Sequence, residues 1–288
     1  MISWPDDLVS AIARRRSVLF LGAGASMTSL NAAGQTPPSW KSFLEAGITR
    51  CTGSKTEMKR LLNNGDYLSC CQLIKYKLEH DWIPFVEQQF LNPQFLPNEL
   101  HKAVFSLDSS IVLTPNFDKI FDNYATAQSH NLLKVKKYYD DDIPRVLRGG
   151  GNQRLILKIH GCIDTPDKLI FTREDYADIR NKNANFYKAI DALVLTHTFL
   201  FIGCGMNDPD LALVLEQYAR SFGAAPPQYV ALSGKISSEY KKMLSKNYNL
   251  KVLEYSPAQD HKQLLDSVHK LVDLVEIERA NLAGSTLW

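Results

Sequence analysis

The sequence has 288 residues, enough for one large α/β domain, and its 45% hydrophobic and 22% charged residues are ordinary for a globular protein. Its 33 basic residues nearly cancel 31 acidic ones, leaving a formal charge of +2, which gives no support for direct nucleic-acid binding or for an anionic-membrane partner. The five cysteines (Cys51, Cys70, Cys71, Cys162, Cys204) form no CxxC pair, which argues against a zinc ribbon or a thioredoxin-type site.

In chain order, residues 1–5 lack the basic start of a secretory signal. The longest apolar stretches, 17–25 and 198–203, are too short to span a bilayer. These features predict a cytoplasmic protein. Arg14-Arg15-Arg16 reads as the solvated end of a first helix. Strand-length apolar runs then recur at 17–21, 110–113, 154–159, 198–202, 228–232 and 250–254. Each has apolar residues on both faces, and helical segments separate them. That pattern predicts a Rossmann-like, doubly wound parallel sheet covered on both sides. The stretch of about 40–105 breaks the alternation. It predicts helices at 40–50, 56–62, 67–79 and 82–90, punctuated by Pro37, Pro84, Pro93 and Pro97, as a helical insertion in a single domain spanning 1–288. Arg148-Gly149-Gly150-Gly151-Asn152 reads as a surface loop, and a disordered tail is expected after Asn281.

In a doubly wound sheet, ligands bind beyond the carboxyl ends of the strands. Four runs end there in small or polar residues. Gly22-Ala23-Gly24-Ala25-Ser26 follows the first run, and a glycine pair lets the backbone turn tightly and approach a phosphate, with amides of the following helix start as donors. Met27 stands where a dehydrogenase fingerprint needs a third glycine, which disfavours an ordinary NAD-dependent dehydrogenase. A purely structural tight turn is the competing reading. Thr114-Pro115-Asn116-Phe117-Asp118 follows the second run, where Asn and Asp are also common helix caps. His160-Gly161 ends the third, and the glycine there leaves room for a ligand to come close. Gly203-Cys204-Gly205 ends the fourth, before Asn207-Asp208-Pro209 opens a helix in which Asp208 is a candidate N-cap.

The order GAGAS, TPNFD, HG and GCG resembles the sirtuin family, whose GAGxS loop, TQN-type motif ending in Asp, catalytic HG and GTS-type turn come in the same sequence. The resemblance spans roughly residues 18–233. It implies NAD⁺ binding across Gly22, Ala23, Gly24, Ala25 and Ser26, across Thr114 to Asp118, and across Gly203, Cys204 and Gly205. Trp40, Asp208 and Ser233 are assigned to the same NAD⁺ site. Asn116 would stand near the nicotinamide ribose, His160 would be the general base, and Asp118 would orient the loop or the ribose.

The departures narrow the branch. Only Cys162 and Cys204 lie beyond His160, so the four-cysteine zinc module of the deacylating sirtuins is absent and no metal is expected; 169–195 reads as a strand and helices instead. Gly34-Gln-Thr-Pro-Pro-Ser-Trp40 replaces the family's GxPDFR segment. These features, with Asn207-Asp208-Pro209-Asp210-Leu211 and Tyr255…His261-Lys-Gln-Leu264, resemble the zinc-free, sirtuin-like effectors of bacterial antiphage systems, which hydrolyse NAD⁺. The resemblance implies an NAD⁺ hydrolase that acts as a homo-oligomer or with a separate partner such as a HerA-type ATPase. A zinc-free deacylase or ADP-ribosyltransferase, and a non-catalytic NAD or ADP-ribose sensor, remain the alternatives. Aromatic residues in the helical insertion and Trp288 are candidate assembly contacts.

Overall fold

The apolar runs become strands in the computed structural model, which describes the chain except for residues 131, 149–152, 207, 224 and 286–288. Helix α1 (Asp6–Ala13) precedes strand β1 (Ser17–Leu21). Between β1 and β2 (Ile111–Thr114) lie α2 (Trp40–Arg50), α3 (Thr56–Asn63), α4 (Tyr67–Leu78), α5 (Trp82–Phe90) and α6 (Glu99–Ser106). There follow α7 (Ile120–Gln128), β3 (Lys134–Lys137), α8 (Ile143–Arg148), β4 (Leu155–Lys158), α9 (Arg173–Lys182) and α10 (Ala184–Thr196). The chain continues through β5 (Thr198–Ile202), α11 (Pro209–Ser221), β6 (Gln228–Ser233), α12 (Ser238–Tyr248), β7 (Leu250–Tyr255) and α13 (Ala258–Ala283).

All seven strands run parallel in the order β3-β4-β2-β1-β5-β6-β7. The fold is the expected doubly wound α/β sheet with a helical insertion. Because successive side chains point to opposite faces, each strand feeds two cores. Leu19 and Leu21 of β1 join Val112, Ile156, Leu200 and Ile202 under α1, α6 and α13. Val18 and Phe20 join Leu113, Leu157, Phe199 and Phe201 under α9, α10 and α11. A third core sits among α2–α5 and takes in Ile163, Leu169 and Phe171 from beyond β4. Phe171 is central there, 5.5 Å from Phe43, 5.3 Å from Trp82 and 4.6 Å from Phe117.

Several expectations change. Strand β3 is a seventh strand that its sequence, Lys134-Val-Lys-Lys137, does not suggest. It lies at the sheet edge, half-buried at most, where lysines blunt pairing with other chains. The strand expected near residue 169 does not form. Leu169–Phe171 is buried but ladderless, fixed by the bond from Ile170 N to His160 O (3.2 Å); Leu169 and Phe171 fill the third core, and Ile170 joins Val18 and Phe20 in the second. Arg15 is not merely a solvated helix end: it pairs with Asp108, which also receives Arg154 and Arg279. Helix α13 carries the chain through Ala283, beyond the expected onset of the tail. The Gly149–Asn152 stretch of the expected loop, Asn207 and Trp288 lie outside the described residues.

Candidate active site

From β1 the chain passes to β2 on one side and later to β5 on the other, so the winding reverses at β1. Ligand crevices form at such a switch point, beyond the carboxyl ends of the strands. Leu21 is aligned with Ile202, and Thr114 with Lys158. Gly22 and Gly203 therefore leave the sheet side by side, and Asn116 and His160 each lie two residues past an aligned pair.

The two glycine turns interlock through their backbones. Gly22 N donates to Ile202 O and Gly24 N to Gly203 O, both at 2.9 Å, while Ala25 N donates to Gly22 O. Gly203 has φ +67°, and a Cβ there would come within 2.4 Å of Ala25 N. On Gly22 or Gly24 a Cβ would press on Gly203 O at 2.5 or 2.8 Å. The glycines thus serve close packing of one turn on the other. The expected helix start is a single 3-10 turn, Ala23–Ser26, with no α-helix before Trp40, so no long helix dipole points from this turn. The amides of Gly22, Gly24 and Ala25 are spent within the fold. The amide of Ala23, at the exposed corner, is not among those bonds.

The turn after β2 is braced on the first. Thr114 Oγ1 donates to Leu21 O (2.7 Å) and accepts from Asn116 N (3.1 Å). Asn116 Nδ2 donates to Gly22 O (3.2 Å), and Oδ1 has no protein partner among the described residues. Asp118 Oδ1 accepts from Ile120 N (2.9 Å), a local turn at the entrance to α7, whose N-cap position is held by Lys119 with no side-chain bond. Burial raises the pKa of Asp118 against the pull of Lys158.

Lys158, which sequence reasoning passed over as the end of a strand, is fully buried below this turn. Its ammonium donates to Asp122 Oδ2 (2.6 Å) and to the backbone carbonyl of Asp118. Burial works against its charge, but Asp122, Cys162 and Asp118 outweigh that and hold its pKa above the ordinary value.

His160 is 8% exposed, and its Nε2 lies 2.9 Å from Asp208 Oδ2 and 3.2 Å from the Tyr176 hydroxyl. Tyr176 donates to the same Asp208 oxygen at 2.9 Å, while Asp208 Oδ1 accepts from Leu211 N (2.8 Å) as the N-cap of α11. One carboxylate thus starts a helix and holds the histidine. Burial opposes its charge, but His160 and its hydrogen bonds pull the pKa of Asp208 below the usual value. Burial and Asp208 push the phenol of Tyr176 far upward, so it stays a donor. Gly161 meets a backbone requirement: its φ is +84°, and a Cβ would meet Lys168 O at 2.7 Å.

The remaining expected residues differ in their surroundings. Trp40 is 36% exposed and stands edge-on to Phe43 and Phe171. Gly205 is exposed, whereas the Cys204 thiol is turned inward toward Ile202 O (3.4 Å), and burial raises its pKa. Ser26 is buried against His101. Ser233 is exposed at the end of β6, beyond Val230, which pairs with Phe201. Tyr176 was missed because it lies inside a helix with no motif of its own. The Thr172–Asp175 capping box marks where that helix begins and is the signal that could have placed it near His160. Among the described residues, no group of three or more His, Cys, Asp or Glu side chains could hold a metal ion.

A family model described as a SIR2-like domain matches residues 110–253, half of the chain. The chain belongs to the SIR2-like family. The match takes in the turns after β2, β4, β5 and β6, and leaves the first glycine turn outside it. Two relatives named NAD(+) hydrolase ThsA are similar to this SIR2-like chain. The Acinetobacter baumannii protein is 25% identical over 54% of this chain and 31% of its own length. The Enterococcus faecium protein is 26% identical over 71% of this chain and 40% of its own. The Defense-associated sirtuin 2 of Bacillus subtilis is 22% identical over 69% of this chain and 19% of its own. The SIR2-like chain thus spans less than half the length of each of these relatives.

Proposed function

We propose that this chain is an NAD⁺ glycohydrolase, releasing nicotinamide and ADP-ribose, and that it depletes NAD⁺ in antiphage defence. The observation that carries the reading is His160, held by Asp208 and Tyr176 at the switch-point edge, one strand from Asn116. The names of the similar hydrolases and of the defence-associated sirtuin support it.

The chemistry follows from the atoms left unspent. Nicotinamide leaves NAD⁺ as a neutral ring, so positive charge passes to the ribose in an oxocarbenium-like state, as in other glycosyl transfers. With Nε2–H directed at Asp208, the lone pair of neutral His160 sits on Nδ1, which has no protein partner among the described residues. That nitrogen takes the proton from an attacking water or ribose hydroxyl, and Asp208 stabilises the imidazolium that forms. Such a base contributes roughly 10²–10⁴-fold. Asn116 Oδ1 orients the same hydroxyl or water. Asp118 holds the turn, and the interlocked glycine turns, with Trp40, Cys204, Gly205 and Ser233 around them, line the dinucleotide crevice. Assembly as a homo-oligomer, or with a HerA-type ATPase, belongs to the same reading and is tested by light scattering of the intact protein.

The deciding experiment measures nicotinamide release and NAD⁺ binding in parallel, with and without an acetyl-lysine peptide. His160→Ala and Asn116→Ala are each expected to lose at least 100-fold in turnover, the low end of a base's contribution, while retaining binding. A His160→Ala variant that turns over at the wild-type rate refutes the mechanism. Turnover that requires the peptide refutes the hydrolase.

A further inference from the structure

The Asp208-Pro209-Asp210 segment carries a second carboxylate that the cleavage chemistry leaves unused. Asp210 lies in the first turn of α11, two residues past the N-cap Asp208, and its side chain is 9% exposed. Both of its oxygens are engaged. Oδ1 accepts from Arg180 Nε at 2.6 Å, and Oδ2 accepts from the Tyr187 hydroxyl. Arg180 belongs to α9 and Tyr187 to the start of α10, so this one carboxylate ties both helices to α11. A helix N-terminus favours a carboxylate, but so buried a charge also needs its partners, which makes the tie a condition of the packing. Its place matters because Arg180 follows Tyr176 by four residues and shares its face of α9. One turn of α9 therefore meets both carboxylates: Tyr176 donates to Asp208 Oδ2 at 2.9 Å, beside His160 Nε2, and Arg180 donates to Asp210. The two carboxylates also share a field. Burial, Asp210 and Asp208 together raise the pKa of Tyr187, and burial, Asp208 and Asp210 raise that of Tyr176.

We propose that Asp210 is a positioning residue for the cleavage reaction: gripped by Arg180 and Tyr187, it fixes α9 and α10 against α11 and so places Tyr176 and Asp208 around His160. It acts through Asp208 rather than on the ligand. Arg180 has a second part, because its guanidinium balances the charge of Asp210 and leaves one carboxylate to act on the histidine. The titratable groups that face His160 are Asp208 from α11 and Tyr176 from α9, and a change in the outer pair reaches the ring past them. Without Arg180, a second negative charge favours the imidazolium. Without the Asp210 charge, the bare guanidinium disfavours it. The inference rests on the reading of His160 as the base given above.

The test compares Arg180→Met, Arg180→Lys and Asp210→Asn in the full chain, reading kcat, KM and the acid limb of kcat/KM for nicotinamide release, with thermal unfolding as a check on the fold. Arg180→Met and Asp210→Asn are each expected to lower kcat about tenfold with KM within about twofold of the wild type, as for an interaction that serves the reacting geometry. The acid limb is expected to move up by about half a pH unit in Arg180→Met and down by about as much in Asp210→Asn. Arg180→Lys, which keeps a cationic donor at the outer carboxylate, is expected to stay within about threefold in kcat with its limb unmoved. A merely structural clamp would depress both variants without opposite shifts, so limbs that stay put or move the same way overturn the proposal. So does a folded Arg180→Met protein with wild-type kcat. Arg180 is 45% exposed, so Arg180→Met should fold even where Asp210→Asn does not, and its limb then decides alone. A wild type that releases no nicotinamide, or whose release survives His160→Ala, defeats the functional reading and this inference together. A wild type whose release needs His160, beside insensitive variants, defeats the inference alone.

Discussion

Replacing Lys158 by methionine removes the cation from a pair that is almost wholly shielded from water. The Nζ–Oδ2 separation is 2.6 Å, and the side chains of Lys158 and Asp122 are 0% and 6% exposed. At an effective dielectric of about 20 the gross attraction over that distance is about 6 kcal/mol, but desolvating both ions offsets much of it. The consequence of Lys158→Met is therefore not the loss of a favourable pair but the stranding of the Asp122 carboxylate. Breaking a buried pair at one end costs about 3–5 kcal/mol. At about 2 °C per kcal/mol for a chain of this size, the unfolding midpoint should fall by roughly 6–10 °C. Adding Asp122→Leu removes the stranded charge and should restore most of that loss. Urea unfolding of the wild type, both single variants and the double variant gives the four free energies needed. The double variant isolates a second effect, because the carbonyl of Asp118 has still lost its donor and the turn carrying Asn116 is released. Its nicotinamide release should stay depressed although stability returns. A Lys158→Met protein within 1 kcal/mol of the wild type would refute this account of the pair, as would a double variant less stable than either single one.

Three further outcomes follow from the same geometry. The folded pKa of His101 is depressed to about 4 from 6.5, so the unfolded chain binds more protons between those values and stability falls as pH drops through them. Between pH 8 and pH 5 this one group should remove about 2 kcal/mol, a loss missing from His101→Gln; parallel pH series in urea with equal slopes would contradict it. Gly203→Ala places a Cβ at positive φ against Ala25 N and should cost about 2–4 kcal/mol, read as a lower midpoint by scanning calorimetry, and a neutral substitution would show that the turns do not interlock. Gly24→Val presses on Gly203 in the same way, so it should lose stability together with NAD⁺ binding; a variant that loses binding at full stability would favour a direct clash with phosphate instead.

The sheet was legible because its strands are apolar on both faces. Leu19 and Leu21 go to one core and Val18 and Phe20 to the other, and such runs differ plainly from the one-sided pattern of the helices. The edge strand β3 had no such signature, because its half-buried lysines look like loop. Strand ends with Gly, Asn and His pointed to the candidate site, and the β1–β2–β4 register brings Asn116 and His160 to one edge. The supports of that site were harder to see. Lys158 ends an apolar strand, where a lysine ordinarily exits to solvent, and only the fold places Asp122 across from it. His101 falls inside an amphipathic helix, although its place three residues after Asn98 is a capping spacing that the sequence does display. Asp208 was read as either a cap or a ligand-site residue. A carboxylate has two oxygens, and in the structure it caps α11 with one and holds His160 with the other.

The interlock of the two glycine turns is made by main-chain atoms, which divides the crevice into a frame and a variable surface. Gly22, Gly24 and Gly203 carry the frame, because each faces backbone that leaves no room for a side chain. Ala23 and Gly205, on the same two turns, are exposed. A library that randomises positions 23 and 205 while keeping the three glycines would therefore change the chemistry lining the crevice without rebuilding its scaffold. For an engineer, the side chains presented at this edge and the foldability of the chain are separable variables.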